Sequence, residues 1–175
     1  SYLSGKALFL LPEAQRRLIV NSVKLLNVKK GDKVLDIACG KGMSSFILAS
    51  MYPEAIVTGI DLLPHNVNAA RALFGGACNL RFLVDNAMNL RFGAETINKM
   101  ICVEAAFHFP DRGKFIKEAH RVLKPSGRLV IVDFMWTSYQ TRLANEDQQA
   151  QLVKSEWQWS DFFSITDYLR VAEDV

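Results

Sequence analysis

Between Lys33 and Phe134 short β-branched runs alternate with amphipathic stretches, the pattern of parallel strands joined by helices. Strands are predicted at Val34–Ala38, Ile56–Ile60, Leu80–Val84, Ile97–Glu104 and Arg128–Phe134. Each is apolar at nearly every position instead of at alternate ones, as expected where helices cover both faces of a sheet. The sharpest helix signal starts at Asp111, a good N-cap, and runs to Leu123: Phe115, Ile116, Ala119, Val122 and Leu123 make one stripe, and Arg112, Lys117 and Arg121 are placed outward. Pro125-Ser126-Gly127 then turns the chain into the fifth strand. Pro12 to Leu26 reads as a helix with proline at its first position. Tyr139 to Trp159 is polar with helical spacing, and Thr166 is placed to cap a last helix through Ala172.

Composition narrows the function classes. The chain has 175 residues, half of them hydrophobic, enough for one good core and short for two. Its formal charge of +3 is scattered, with no basic run to track phosphates, which disfavours nucleic acid as a partner. No apolar stretch nears the ~20 residues of a bilayer span, and Ser1-Tyr2-Leu3-Ser4-Gly5-Lys6 lacks the order of a secretory signal, so no membrane partner and a cytoplasmic location are expected. Cys39, Cys78 and Cys102 lack paired C-x-x-C spacing, which argues against a metal site.

The informative segment is Val34-Leu35-Asp36-Ile37-Ala38-Cys39-Gly40-Lys41-Gly42, a strand running into a small-residue turn and then a helix. Gly40 and Gly42 remove β-carbons where open α/β sheets bind ligands, at strand carboxyl ends. The dinucleotide pattern G-x-G-x-x-G fails because Ser45 stands at its third glycine, and a P-loop fails because Gly42 follows Lys41. Asp36 would repel a pyrophosphate and suits a ligand bearing an ammonium and a sulfonium.

Residues 34–42 resemble the first motif of class I S-adenosylmethionine-dependent methyltransferases, D-x-G-x-G-x-G, with Ala38 in place of the first glycine. The resemblance continues through Asp61 after the second strand, Asp85-Asn86-Ala87 after the third, Glu104 to Phe109 after the fourth and Arg121 to Gly127 before the fifth. It implies a Rossmann-like, doubly wound α/β sheet of order 3-2-1-4-5. The implied cofactor is S-adenosyl-L-methionine, with S-adenosyl-L-homocysteine as product. Asp36, Ala38, Gly40 and Gly42 are then the glycine-turn contacts, Asp61 with Leu62 the ribose contacts, and Asp85, Asn86 and Ala87 the adenine contacts, while Glu104 faces the methionine end. Each acid also has a plainer use: Asp61 as cap of the helix near Pro64, Asp85 as the start of a turn, Glu104 as a buried acid paired with a backbone donor.

Glu104-Ala105-Ala106-Phe107-His108-Phe109-Pro110 resembles a stretch of the small-molecule methyltransferases related to those of ubiquinone, sterol and natural-product biosynthesis. There His108 is the candidate general base, Asp133 its candidate helper, and an oxygen acceptor is favoured over carbon or nitrogen. His108 has the alternative of packing in the cleft wall, and Asp133 of ending its strand.

Residues 1–134 are thus expected to form the cofactor-binding core with its N-terminal helix, and 135–175 a helical lid. The aromatics Trp136, Tyr139, Trp157, Trp159, Phe162 and Phe163 would suit a hydrophobic small-molecule acceptor. The resemblance implies two more strands, and the residues after Phe134 predict none, so the chain reads as truncated. The fifth strand is expected on an open edge, where a second copy or a partner chain can pair. A non-catalytic binding or assembly subunit is the main alternative, and a nicotinamide-dependent oxidoreductase the lesser one.

Overall fold

The computed structural model describes residues 13–137 and 147–175. In chain order the elements are α1 (Glu13–Leu25), β1 (Lys33–Ile37), α2 (Met43–Met51), β2 (Ile56–Asp61), α3 (Pro64–Phe74), β3 (Leu80–Val84), β4 (Ile97–Val103), a one-turn 3₁₀ helix (Ala106–His108), α4 (Arg112–Val122), β5 (Leu123–Val132), α5 (Gln148–Glu156) and α6 (Ile165–Glu173). The five strands form one parallel sheet of order β3-β2-β1-β4-β5, as the alternation and the family resemblance require. In-register pairs such as Leu35 with Thr58 and with Met100 bring the carboxyl ends of β1, β2 and β4 to a common edge.

The continuous apolar character of the strands has the physical cause expected of it, since both faces are covered. On one face Val34, Val57 and Ile101 pack against Val23 and Leu26 near α1, Ile47 and Leu48 of α2, and Val67 and Phe74 of α3. On the other, Leu35, Ile37, Ile60 and Met100 meet Phe115, Ile116, Ala119 and Val122 of α4, with Tyr168 and Val171 of α6 beside them. Phe115 is fully buried, and its truncation to alanine would cost about 3–5 kcal/mol.

Several boundaries differ from the predicted ones. β4 stops at Val103 because Glu104 takes a left-handed φ of 50°. β5 begins at Leu123, paired with Ile97, immediately after α4; residues 124–127 bulge out around Ser126 (φ 64°), and pairing resumes at Arg128 with Lys99. Pro125 has no N–H for a ladder, so the predicted turn is accommodated as a bulge inside a longer strand. The last helix is capped by Ser164, not Thr166: the Ser164 hydroxyl accepts from the Asp167 amide at 3.2 Å, and the Asp167 carboxylate accepts from the Ser164 amide at 2.9 Å. Asp111 caps α4 as expected, accepting from the Lys114 amide at 2.8 Å. Pro12 and most of the segment between Tyr139 and Asp147 lie outside the described residues; helical spacing there is realised over Gln148–Glu156.

Arg112 is the clearest departure. The helical pattern predicts it on the solvent face of α4, yet only 4% of it is exposed. It lies three and four residues before Phe115 and Ile116, which puts it on the apolar stripe.

Candidate active site

β1 delivers the chain to the glycine turn, where Ala38, Gly40 and Gly42 all adopt left-handed φ (53°, 54° and 89°). An added β-carbon at Gly42 would lie 2.7 Å from the Phe82 ring and 2.8 Å from Ala70, so this glycine lets the turn nest between β3 and α3. A β-carbon at Gly40 would meet nothing within 4 Å, because Gly40 faces a hollow. The two glycines therefore do different work: Gly42 permits packing, and Gly40 keeps space open at the backbone.

Asp36 sits behind this turn, 1% exposed, with its Oδ2 accepting from the Ser44 and Ser45 hydroxyls at 2.6 Å each. Burial pushes its carboxyl up to about 6; the two serine hydroxyls oppose that shift and the nearby Asp61 charge adds to it. The side chain fastens the start of α2 to the end of β1, and it reaches the site as a buried acid and not as a wall residue.

Asp61 is placed at the end of β2, where its Oδ2 accepts from the Gly40 amide at 2.9 Å and its Oδ1 from the Leu63 amide at 2.9 Å and the Asn66 side chain at 3.1 Å. Asp61 does not cap α3, whose N-cap is Leu63 with no side-chain cap bond; the carboxylate instead ties the glycine turn to the approach of that helix and keeps lone pairs for further donors. Asp85 directly follows β3 and lines the same narrow hollow, about 50 Å³, as Ala38, Asp61, Leu62, Asn86 and Ala87. Its carboxylate accepts from the Asn86 amide at 3.0 Å and from the Arg91 guanidinium and amide at 3.2 Å each, and Arg91 also donates to the Val84 carbonyl. A wider hollow of about 210 Å³ continues past Ala38 along Gly40, Lys41, Ser44 and Glu104. Glu104 is exposed and lines it, so the reading of Glu104 as a buried acid does not hold.

The lining of neither hollow includes His108 or Asp133. His108 is exposed, its ring 4.0 Å from the Phe107 ring, with Nδ1 3.2 Å from the Gln158 carbonyl oxygen. Asp133 is engaged by the Tyr168 hydroxyl, which donates to Oδ2 at 2.5 Å, and it borders a separate apolar groove between β5, α4 and α6. Burial raises its carboxyl above the usual range, with Tyr168 and the Arg112 guanidinium opposing. Trp136, Trp159 and Phe162 form a small cluster with Ala150, Trp157 is half exposed beside Phe134, and Tyr139 lies outside the described residues.

Sequence reasoning missed four side chains that brace strand ends and loops near the site, although none of them lines either hollow. Arg91 clamps Asp85; Tyr168 engages Asp133; Glu118 accepts from the Leu90 amide at 2.8 Å; and Arg121 donates to the Leu90 and Phe92 carbonyls at 2.9 Å each. The last three come from α4 and α6 to loops far away in sequence, where no local pattern signals them.

A family described as a methyltransferase domain matches residues 28–170, which hold the glycine turn and the strand ends of both hollows but not α1, whose Gln15 and Ile19 also line the wider one. This chain belongs to the S-adenosylmethionine-dependent methyltransferases. The 2-methyl-6-phytyl-1,4-hydroquinone methyltransferase of Synechocystis is 43% identical over 104 residues, 59% of this chain and 32% of that protein. The erythromycin 3''-O-methyltransferase of Saccharopolyspora erythraea is 35% identical over 128 residues, 71% of this chain and 42% of that protein. The chain therefore spans less than half the length of these relatives. In fold it is similar to geranyl diphosphate C-methyltransferase from Streptomyces coelicolor, solved with S-adenosyl-L-homocysteine (TM-score 0.76, 20% identity, 91% of this chain and 60% of that one). The small-molecule methyltransferases among these relatives act at oxygen in some cases and at carbon in others, to judge by their names. No helix among the described residues is long and apolar enough to cross a membrane.

Proposed function

We propose that this methyltransferase domain moves a methyl group from S-adenosylmethionine to a hydroxyl of an apolar small molecule, with His108 as general base. The cofactor supplies an electrophilic methyl on a positively charged sulfur. Toward it the chain offers Gly40 and Ala38 as a close-approach backbone, Asp61 with Leu62 for the ribose, Asp85, Asn86 and Ala87 for the adenine, and Glu104 for the methionine end, with Asp36 behind the turn. The residues fit this ligand because, of the two turn glycines, the one whose β-carbon would project into open space is the one lining the wider hollow.

The observation that carries the base assignment is the contact of His108 Nδ1 with a carbonyl oxygen. A carbonyl only accepts, so Nδ1 carries the proton of the neutral ring, and Nε2 is left with a free lone pair. Gln158, which provides that carbonyl, has φ 53°, a strained conformation for a non-glycine residue that turns the chain back onto the His108 segment. A base in that tautomer takes the hydroxyl proton as the oxygen attacks, and Phe134, Trp136, Trp157, Trp159 and Phe162 supply the dry wall that an apolar acceptor needs. The names of the O-methylating relatives support oxygen as the acceptor atom.

The test is His108→Ala assayed against a panel of a phenol, a hydroquinone and a terpenoid alcohol, with S-adenosyl-L-homocysteine affinity measured in parallel by calorimetry. A general base contributes about 10²–10⁴ in rate, so kcat should fall by that factor with cofactor affinity unchanged. Full activity in the variant would remove His108 from the reaction. Tight S-adenosyl-L-homocysteine binding with no turnover on any acceptor by the unmodified protein would favour the binding-subunit reading.

A further inference from the structure

Arg112 is buried, yet among the described residues no carboxylate lies within ion-pair distance of it and its Nη1 has no hydrogen-bond partner. Its Nε donates to the Ala106 carbonyl at 3.1 Å and its Nη2 to the Asp161 carbonyl at 3.3 Å. The guanidinium carbon stands 4.9 Å from the Phe163 ring centre and 5.8 Å from that of Tyr168. A guanidinium bonded only to neutral carbonyls and ring faces, with the Asp133 and Asp167 carboxylates acting on it through space, is a poor source of stability, because its desolvation is offset only in part. What the planar fork does supply is geometry, since two donors on one rigid group fix two separate chain segments relative to each other.

Those two segments meet at two more points. The Ser160 amide and hydroxyl both donate to the Phe107 carbonyl, at 3.0 and 3.2 Å, and His108 Nδ1 donates to Gln158. Each residue of the one-turn helix, Ala106, Phe107 and His108, is therefore tied to residues 158–161 directly or through Arg112.

We propose that Arg112 is a positioning residue that couples the seating of the 158–163 segment over the acceptor to the placement of the His108 ring. The inference rests on the reading of His108 as base, and acts through it. Lysine at 112 keeps the charge but carries one terminal ammonium that cannot replace the rigid fork between Ala106 and Asp161.

The experiment compares Arg112→Lys, Ser160→Ala and His108→Ala at saturating S-adenosylmethionine on the same hydroxylated acceptor panel, with amide hydrogen exchange of the protein read segment by segment. Arg112→Lys is expected to raise the acceptor KM about tenfold and lower kcat, to speed exchange across 158–163 and 106–109, and to leave S-adenosyl-L-homocysteine affinity within twofold. Ser160→Ala removes one hydroxyl bond and should move the same quantities two- to fivefold, which carries the test if Arg112→Lys does not fold. Unchanged acceptor KM and unchanged exchange at 158–163 in whichever variant folds would overturn the coupling. A His108→Ala variant with full kcat defeats the base assignment separately, because the exchange measurement does not depend on it.

Discussion

Gly40 and Gly42 share left-handed backbone, yet alanine at each is expected to damage a different property. At Gly42 the new β-carbon has the Phe82 ring at 2.7 Å and Ala70 at 2.8 Å, both inside the core. Left-handed backbone costs a non-glycine residue about 1–2 kcal/mol, overpacking adds about 1–3, and the stiffer unfolded chain returns about 0.4–1. Gly42→Ala should therefore lose about 2–4 kcal/mol, which at a urea slope of about 2 kcal/mol/M lowers the unfolding midpoint by about 1–2 M. At Gly40 the packing contribution vanishes, since nothing lies within 4 Å, and the net loss is about 1 kcal/mol or less. The position two residues earlier already holds alanine at φ 53°, so this backbone tolerates a β-carbon. The Gly40→Ala methyl instead occupies the hollow, and S-adenosyl-L-homocysteine affinity by calorimetry should drop at least tenfold, about 1.4 kcal/mol. A Gly40→Ala protein that binds the ligand as the parent does would refute the assignment of that hollow, whatever its stability.

Asp36→Asn probes the buried acid. The folded carboxyl is held near 6 against an ordinary 3.8, so from about pH 4 to pH 6 the unfolded chain gives up its proton first, and stability falls as pH rises through that window by an amount on the order of 3 kcal/mol. Urea titrations of parent and variant across pH 4–7 should show the fall in the parent and its absence in Asp36→Asn; parallel curves would contradict the burial argument. Ser164→Ala deletes the capping-box hydroxyl of α6 and should cost about 1 kcal/mol, read as a lowered urea midpoint with faster exchange confined to residues 165–173.

How much of this was legible depended on the range over which each feature is determined. The strands β1 to β4 and the Asp111 cap are local: both sheet faces are covered, so whole runs are apolar, and one side chain closes one helix end. The glycine turn was legible because it needs particular residues at fixed offsets, and Asp36, Asp61 and Asp85 because each lies at or next to the carboxyl end of its strand. Arg112 shows position outweighing charge: its spacing to Phe115 and Ile116 sets it on the buried stripe although its guanidinium suits the solvent face. The α6 start was missed because Ser164 with Asp167 is a less familiar capping pair than serine with glutamate. The Tyr168–Asp133 contact and the Arg121 bonds to Leu90 and Phe92 join segments that only the folded chain brings together, and no periodicity encodes them.

At the seam between the one-turn helix and the segment after α5, every acceptor is a main-chain oxygen: those of Ala106, Phe107, Gln158 and Asp161. Most amino acids present the same oxygen, so apart from Ser160, whose hydroxyl donates across the seam, the side chains along that segment can be exchanged while these acceptors stay in place. With His108 in the proposed role of base, such a scaffold would separate what is recognised from where the proton goes, and the aromatic wall could change without rebuilding the chemistry beneath it.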